Sequence, residues 1–393
     1  MNELFSNRIS GVSPSFIREI LKVAVDPSII SFAGGLPNRD LFPIAELQKA
    51  TNDLFADSGK DIFQYSNTEG YLPLRELIAA DYKKKGLDID VNEILITNGS
   101  QQGLDLLGKV LLNEGDQVIM EEPGYLGAIQ AFDVYAAQFL SVPVDETGMD
   151  VVALQNVLDS SNAKLMYTVP NFQNPSGISY SDENRQAVAN CLADKNILLI
   201  EDNPYGDLRF SGQDKQSFKA LLPGKTILLG SFSKIVVPSF RLGWIVAPKE
   251  LMAKLVIAKQ AGDLHSNYFC QRLLHRFLQD NDLQAHIKEI VSVYGHQKQV
   301  MENAIKQYFP KQVTYFNPEG GMFLWVTLPK ELSAMALFDL AIKEKVAFVP
   351  GDPFYVNKRG LNTLRLNFSS VAPDVIEEGI QRLGKVLHDL LDA

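Results

Sequence analysis

The sequence predicts an α/β protein in which a largely parallel sheet is covered by helices on both faces and a smaller α+β unit follows. Three observations carry that expectation. Short apolar runs, among them QVIME, AAQFLSV, KLMYTV, ILLIED and TILLG, recur between residues 117 and 230, and several are separated by stretches that read as helices. Apolar strands alternating with helices form parallel sheets buried on both sides. Past residue 290 the pattern changes: GGMFLWVTLP, VAFVP and TLRLNFS read as strands, and VIEEGIQRLGKVLHDLL closes the chain as an amphipathic helix. Finally, 393 residues and 43.7 kDa exceed what one hydrophobic core usually serves, which predicts two units sharing a cleft.

Taken in order, Ser13 and Pro14 open a short helix as cap and first residue, with Ile17, Ile20, Leu21 and Ala24 on one face and Arg18 at its edge. The SFAGGLP segment is an irregular loop in which Gly34 and Gly35 let backbone approach a ligand closely. From Glu93 to Leu112 a strand (ILIT), a turn (NGS) and a helix (QQGLDLLGKVLL) follow one another. Leu283 to Tyr308 places Ile287, Ile290, Val291 and Tyr294 at helical spacing and forms a long connecting helix. The expected division is residues 1–45 packing with the C-terminal part, 46–290 as the large unit and 291–393 as the small one.

Composition narrows the function. Lys plus Arg number 37 against 47 for Asp plus Glu, and the net charge of −10 repels a polyanion, so nucleic acid is not an expected partner. Cys191 and Cys270 lie far apart with no paired spacing, which indicates neither a disulfide framework nor a zinc knuckle and fits a reducing compartment. The five histidines form no metal-binding pair with a glutamate between, so no metal is expected. The N-terminus lacks a signal-peptide pattern, and no apolar stretch reaches the ~18 residues of a membrane span. A cytoplasmic protein with no membrane association is expected.

Chemistry is concentrated just after the strands, where open α/β sheets bind ligands. ILLIED ends at Asp202 with Tyr205 close behind, TILLG runs through SFSK to Lys234, LMYTVPNFQNPSG carries Asn174, and ILITNGSQQG puts Gly99, Ser100 and Gln101 at a helix start. An acid after one strand and a lysine after a neighbouring one is also the pattern of a structural ion pair. The helix start, however, offers free N–H groups and a positive dipole end to a phosphate. Ser231 and Ser233 add hydroxyls, and Arg241 adds a guanidinium able to grip in two places. A lysine beside a phosphate cup and a buried carboxylate fits pyridoxal 5′-phosphate, the amine forming a Schiff base and the acid pairing with the pyridinium nitrogen. The P-loop signature is absent.

These motifs, with SPSFIREILK, FAGGLP, QYSNTEGYLPLRE, EEPGYLGA, GSFSKIVVPSFRLGW and VAFVPGDPF, resemble those of the fold type I pyridoxal-phosphate aminotransferases of class I/II over nearly the whole length. Within that family the chain is most similar to the 2-aminoadipate, kynurenine and aromatic aminotransferase branch, which also resembles the effector domain of MocR-type regulators. The resemblance implies a large domain with a mostly parallel seven-stranded sheet between helices, plus a small α+β domain. It implies that Lys234 is the Schiff-base lysine and proton carrier, that Asp202 pairs with the ring nitrogen, and that Asn174 and Tyr205 bond the phenolate oxygen. Tyr125 is implied to stack on the ring. Ser100, Gln101, Ser231, Ser233 and Arg241 are implied to hold the phosphate, and Tyr65 to reach the phosphate of a neighbouring subunit in a homodimer with shared active sites. Arg365 is implied to clamp the substrate α-carboxylate, with a planar two-point grip that lysine lacks. One departure is Pro238-Ser239-Phe240-Arg241, where relatives commonly have Pro-Gly-x-Arg.

The implied activity is ping-pong amino transfer between an amino acid and 2-oxoglutarate. Arg18, with Ser15 one turn before it, sits where the aminoadipate branch binds a distal carboxylate, although a solvated arginine at a helix edge fits the same residue. Gly34 and Gly35 line that side, and Tyr65 and Tyr125 leave room for an aromatic side chain. A β-lyase or decarboxylase on the same scaffold, and a cofactor-binding sensor domain without turnover, are the alternatives. The sensor reading is disfavoured by the short segment before the first helix.

Overall fold

A computed structural model describes residues 4–10, 12, 20, 26–357 and 360–392. The helix expected from Ser13 onward, with Ser15 and Arg18, falls outside these residues apart from Ile20.

The large sheet is built from β1 (Ile94–Thr97), β2 (Gln117–Glu122), β3 (Gln138–Asp145), β4 (Leu165–Thr168), β5 (Leu198–Asp202), β6 (Thr226–Ser231) and β7 (Gly243–Val246), with a two-residue strand at Gly148–Met149 on its edge. Their spatial order is β1-β7-β6-β5-β4-β2-β3 and then the edge strand. Pairing from β6 through β5, β4 and β2 to β3 is parallel, whereas β7 runs antiparallel to both β1 and β6. Thus the seven expected strands gain a short eighth, hairpinned onto β3.

The central strands are buried along almost their whole length, and residues of alternate parity enter two separate cores. Met120, Tyr167 and Ile200 belong to one, and Ile119, Met166 and Leu199 to the other. That is the consequence of covering both faces of a pleated sheet.

Four helices set the geometry of the cleft. The first, α1 (Ser100–Leu111), follows β1; α2 (Lys249–Asp263) follows β7. The long α3 (Leu283–Tyr308) is capped by Asp282, whose side chain accepts from the amides of Gln284 and Ala285. The boundary expected at residue 290 falls inside this single helix. It packs against α4 (Pro373–Leu391), which buries Ile376, Ile380, Leu383 and Leu387 on one stripe. The C-terminal region adds an antiparallel sheet in which Phe323–Thr327 pairs with Thr363–Asn367. Ile30–Ser31 pairs in parallel with Val346–Ala347, which joins the N-terminal segment to that region. Among the described residues no helix is long and apolar enough to cross a membrane.

Candidate active site

The carboxyl ends of β4, β5 and β6 and the start of α1 open onto one cavity of about 470 Å³, closed on its far side by Gly35, Leu36 and Arg365. Lys234, Asp202, Tyr205, Asn174, Tyr125, Ser100, Gln101, Ser231, Ser233 and Arg241 all line it. Ten residues scattered over the interval 100–241 meet here because the parallel strands end on one edge of the sheet.

At the base, Asp202 is 2 % exposed. Its Oδ2 accepts from the Tyr167 phenol at 2.8 Å, while its Oδ1 has no partner among the described residues. Burial drives its pKa up to about 7, the hydrogen bond from Tyr167 opposing and the Glu121 charge reinforcing that rise. No ion pair joins Asp202 to Lys234 among the described residues, so the plain salt-bridge reading does not hold. Lys234 Nζ instead donates to the Gly35 carbonyl at 2.7 Å. Its pKa is pushed down to about 8, first by burial and then by the charges of Arg365 and Arg241. Arg365 therefore outweighs Arg241, the nearer of the two in sequence.

Asn174 is the joint between two functions. Its Nδ2 donates to Tyr205 Oη at 3.2 Å, and its Oδ1 accepts from Arg365 Nη1 at 2.7 Å. The Tyr205 hydroxyl proton is thereby left for another acceptor. Arg365 also donates to the Ala33 carbonyl at 2.7 Å and lies over the rings of Phe323 (4.4 Å) and Phe354 (5.3 Å). These faces hold the guanidinium plane in place. Burial lowers its pKa to about 10, which leaves it charged at neutral pH. Its Nε has no partner among the described residues. A side chain at position 35 would press on Phe323, the added Cβ lying 3.0 Å from its ring.

The other end of the cavity is more open. Gly99 precedes α1 with φ +77, and no side chain caps the helix, so the first amides are left to face the cavity. A Cβ at Gly99 would lie 2.6 Å from Arg241 Nη2. Arg241 itself is exposed, with φ +52, and its Nη2 donates to the Asn98 carbonyl at 3.4 Å. Ser239 is not among the positive-φ residues, so the missing glycine imposes no strain there. Behind the turn, the buried Lys259 binds Asp263, which in turn accepts from Asn98 Nδ2 and Gln102 Nε2, each at 2.7 Å. This clasp ties the end of α2 to the start of α1.

Tyr65 does not join the cavity of its own chain. It is 78 % exposed, its ring edge-on to His265 at 5.8 Å. Among the described residues no group of three or more His, Cys, Asp or Glu is placed to hold a metal ion.

On the opposite face of the sheet, Glu121 is also buried but fully engaged. It accepts from Thr168 Oγ1 (2.5 Å), Val169 N (3.0 Å), Gln173 Nε2 (2.9 Å) and Tyr180 Oη (2.8 Å). Glu201 likewise accepts from Ser217 Oγ at 2.6 Å.

Residues 28–383 match the family model described as aminotransferase class I and II. The chain belongs to that family. Among similar proteins, the aromatic-amino-acid aminotransferase 1 of Thermococcus litoralis is 38 % identical over 98 % of this aminotransferase and 94 % of its own length. The crystal structure of the alpha-aminoadipate aminotransferase of Thermus thermophilus, complexed with N-(5′-phosphopyridoxyl)-L-leucine, superposes with a TM-score of 0.93 at 41 % identity, covering 99 % of this chain and 98 % of that one. That of the Pyrococcus horikoshii kynurenine aminotransferase, in complex with PMP, gives 0.95 at 39 % identity, covering 100 % and 98 %.

Sequence reasoning missed Tyr167 and the Asn98–Gln102–Lys259–Asp263 clasp. A tyrosine inside an apolar strand carries no local signal of function. The clasp residues form two pairs far apart in the chain, and only the spatial neighbourhood of α1 and α2 unites them.

Proposed function

We propose that this aminotransferase, with pyridoxal 5′-phosphate, exchanges the amino group of a 2-aminoadipate-like or aromatic amino acid with 2-oxoglutarate by a ping-pong mechanism, as a cytoplasmic homodimer. The observation that carries the reading is one cavity holding a buried carboxylate with an oxygen unpartnered among the described residues, Asp202, and a lysine whose pKa is lowered to about 8, Lys234. The residues fit the cofactor: an acceptor for a ring N–H, donors for an oxyanion at Asn174 and Tyr205, and free amides, hydroxyls and a guanidinium for a phosphate. When bound, the cofactor supplies an aldehyde for an amine and a ring that withdraws electrons from the substrate's Cα.

The chain's own groups do the rest. Arg365, fixed by Phe323, Phe354 and Asn174, would hold the substrate α-carboxylate in a single orientation. With its pKa near 8, Lys234 is partly neutral at neutral pH and takes the Cα proton as a base. Ionised Asp202 favours a protonated ring nitrogen. Tyr125 would flank the ring, and Ser100, Gln101, Ser231, Ser233 and Arg241 would hold the phosphate.

The exposure of Tyr65, outside the cavity of its own chain, supports its reaching a second subunit. The large domain is taken as residues 46–290 and the small one as 291–393, with residues 1–45 joined to the latter. Ser15 and Arg18 are assigned to the distal carboxylate of dicarboxylic substrates. Rapid mixing with a panel of amino donors, followed by the absorbance of the bound cofactor, tests the function. Arg18→Ala should weaken dicarboxylic donors and spare aromatic ones; equal loss for both removes the Arg18 assignment.

A further inference from the structure

The Asp202 carboxylate receives one hydrogen bond, and the donor is delivered by strand register. β4 and β5 run parallel with Tyr167 beside Ile200. Residues of like parity share a face, so the phenol points along the sheet surface to the carboxylate two positions further on. Tyr167 is fully buried, its ring near-parallel to Tyr125 (6.4 Å, 23°) and edge-on to Phe132 (6.4 Å, 75°). Packed on both sides, the ring offers its hydroxyl from a single direction.

A phenol has one proton to donate. Given to Oδ2 at 2.8 Å, that proton leaves Oδ1 as the free acceptor in the cavity. We propose that Tyr167 is a positioning residue for cofactor recognition: its hydrogen bond to Oδ2 favours the ionised Asp202 carboxylate and presents Oδ1 to the ring nitrogen of pyridoxal 5′-phosphate. The inference rests on the cofactor assignment made above.

Two physical facts make the hydrogen bond necessary. Burial raises the Asp202 pKa and the nearby Glu121 charge pushes the same way, so that it stands at about 7 even with the Tyr167 hydrogen bond in place. Among the described residues, the Tyr167 phenol is the donor that opposes them. Burial and the Asp202 charge raise the phenol's own pKa well above 10, so it stays a donor throughout the working range. Only an ionised carboxylate accepts from a phenol on one oxygen and a pyridinium N–H on the other at the same time.

The test compares two ligands on cofactor-free protein by equilibrium dialysis at neutral pH: pyridoxal 5′-phosphate, and its analogue in which C–H replaces the ring nitrogen. Tyr167→Phe keeps the ring and its stacking and removes only the hydroxyl. Its dissociation constant for pyridoxal 5′-phosphate should rise about tenfold, the scale of a hydrogen bond to a charged group, while that for the analogue changes less than about twofold. Equal weakening of both ligands, or weakening of neither, overturns the proposal, because the hydroxyl would then serve packing or nothing. A variant that fails to fold overturns it as well. Failure of the parent reading is separable: wild-type protein that binds both ligands equally shows that Asp202 does not meet the ring nitrogen, and the Tyr167 role falls with it.

Discussion

The two faces of the central sheet each carry buried carboxylates, and they are treated in opposite ways. Glu121 gathers four donors from Thr168, Val169, Gln173 and Tyr180. Asp202, on the other face, has one donor and a bare oxygen. Burying a carboxylate is costly unless its lone pairs are met. Glu121 meets them within the chain and so ties β2 to the Asn174 loop. Asp202 leaves an acceptor open at the cavity. Burial alone thus does not set Asp202 apart, and neither does a bare oxygen, since Glu122 and Asp352 also have one; Asp202 combines it with a place in the Lys234 cavity.

The sharpest way to break this comparison is to neutralise Asp202. Asp202→Asn removes the anion proposed to face the ring nitrogen, and kcat/KM should fall by about 10²–10³, the scale of removing a preorganised electrostatic contact. A loss under about threefold in steady-state kinetics would mean that the free oxygen is incidental.

The counterpart is Glu121→Gln, which replaces acceptor capacity by an N–H₂ group that must face an obligate donor, Val169 N or Gln173 Nε2. It should destabilise the fold by about 1–3 kcal/mol in urea unfolding while the folded protein still turns over. Unchanged stability with lost activity would reverse the roles assigned to the two faces.

The smallest effect sharpens the contrast through pH. Asp202 has a folded pKa of about 7 against an ordinary 3.8, so the folded cofactor-free protein holds an extra proton between those values. Its contribution to stability is present at low pH and is lost as pH rises through about 7. The stability of cofactor-free Asp202→Asn relative to wild type should therefore increase from about pH 4 to about pH 7 and level off beyond it. A difference that is flat with pH would contradict the half-paired description.

Much of this was legible in the sequence, for identifiable reasons. Apolar runs of KLMYTV, ILLIED and TILLG type announced the parallel core, and the polar groups following them announced the cavity, since strand ends of a parallel sheet meet on one edge. β7 was not legible, because GWIV is short and follows the Arg241 turn directly. Tyr167 was hidden by its apolar neighbours: its partner lies on another strand, and register cannot be read from either strand alone. The ranking of charges around Lys234 also needed three dimensions, since Arg365 lies 131 positions away and yet exceeds the nearby Arg241 in effect.

Lys219 and Lys259 provide the control for the central claim. Both are buried lysines whose pKa values are lowered by burial, as that of Lys234 is. Lys219 is committed to the carbonyls of Pro223 and Thr226, however, and Lys259 to Asp263. Lys234 is the one of the three that lines the cavity with Asp202. Borohydride reduction of the cofactor-loaded protein followed by peptide mapping tests this directly. A single phosphopyridoxyl label at Lys234 is the predicted result; a label at Lys219, Lys259 or any other lysine would contradict the account.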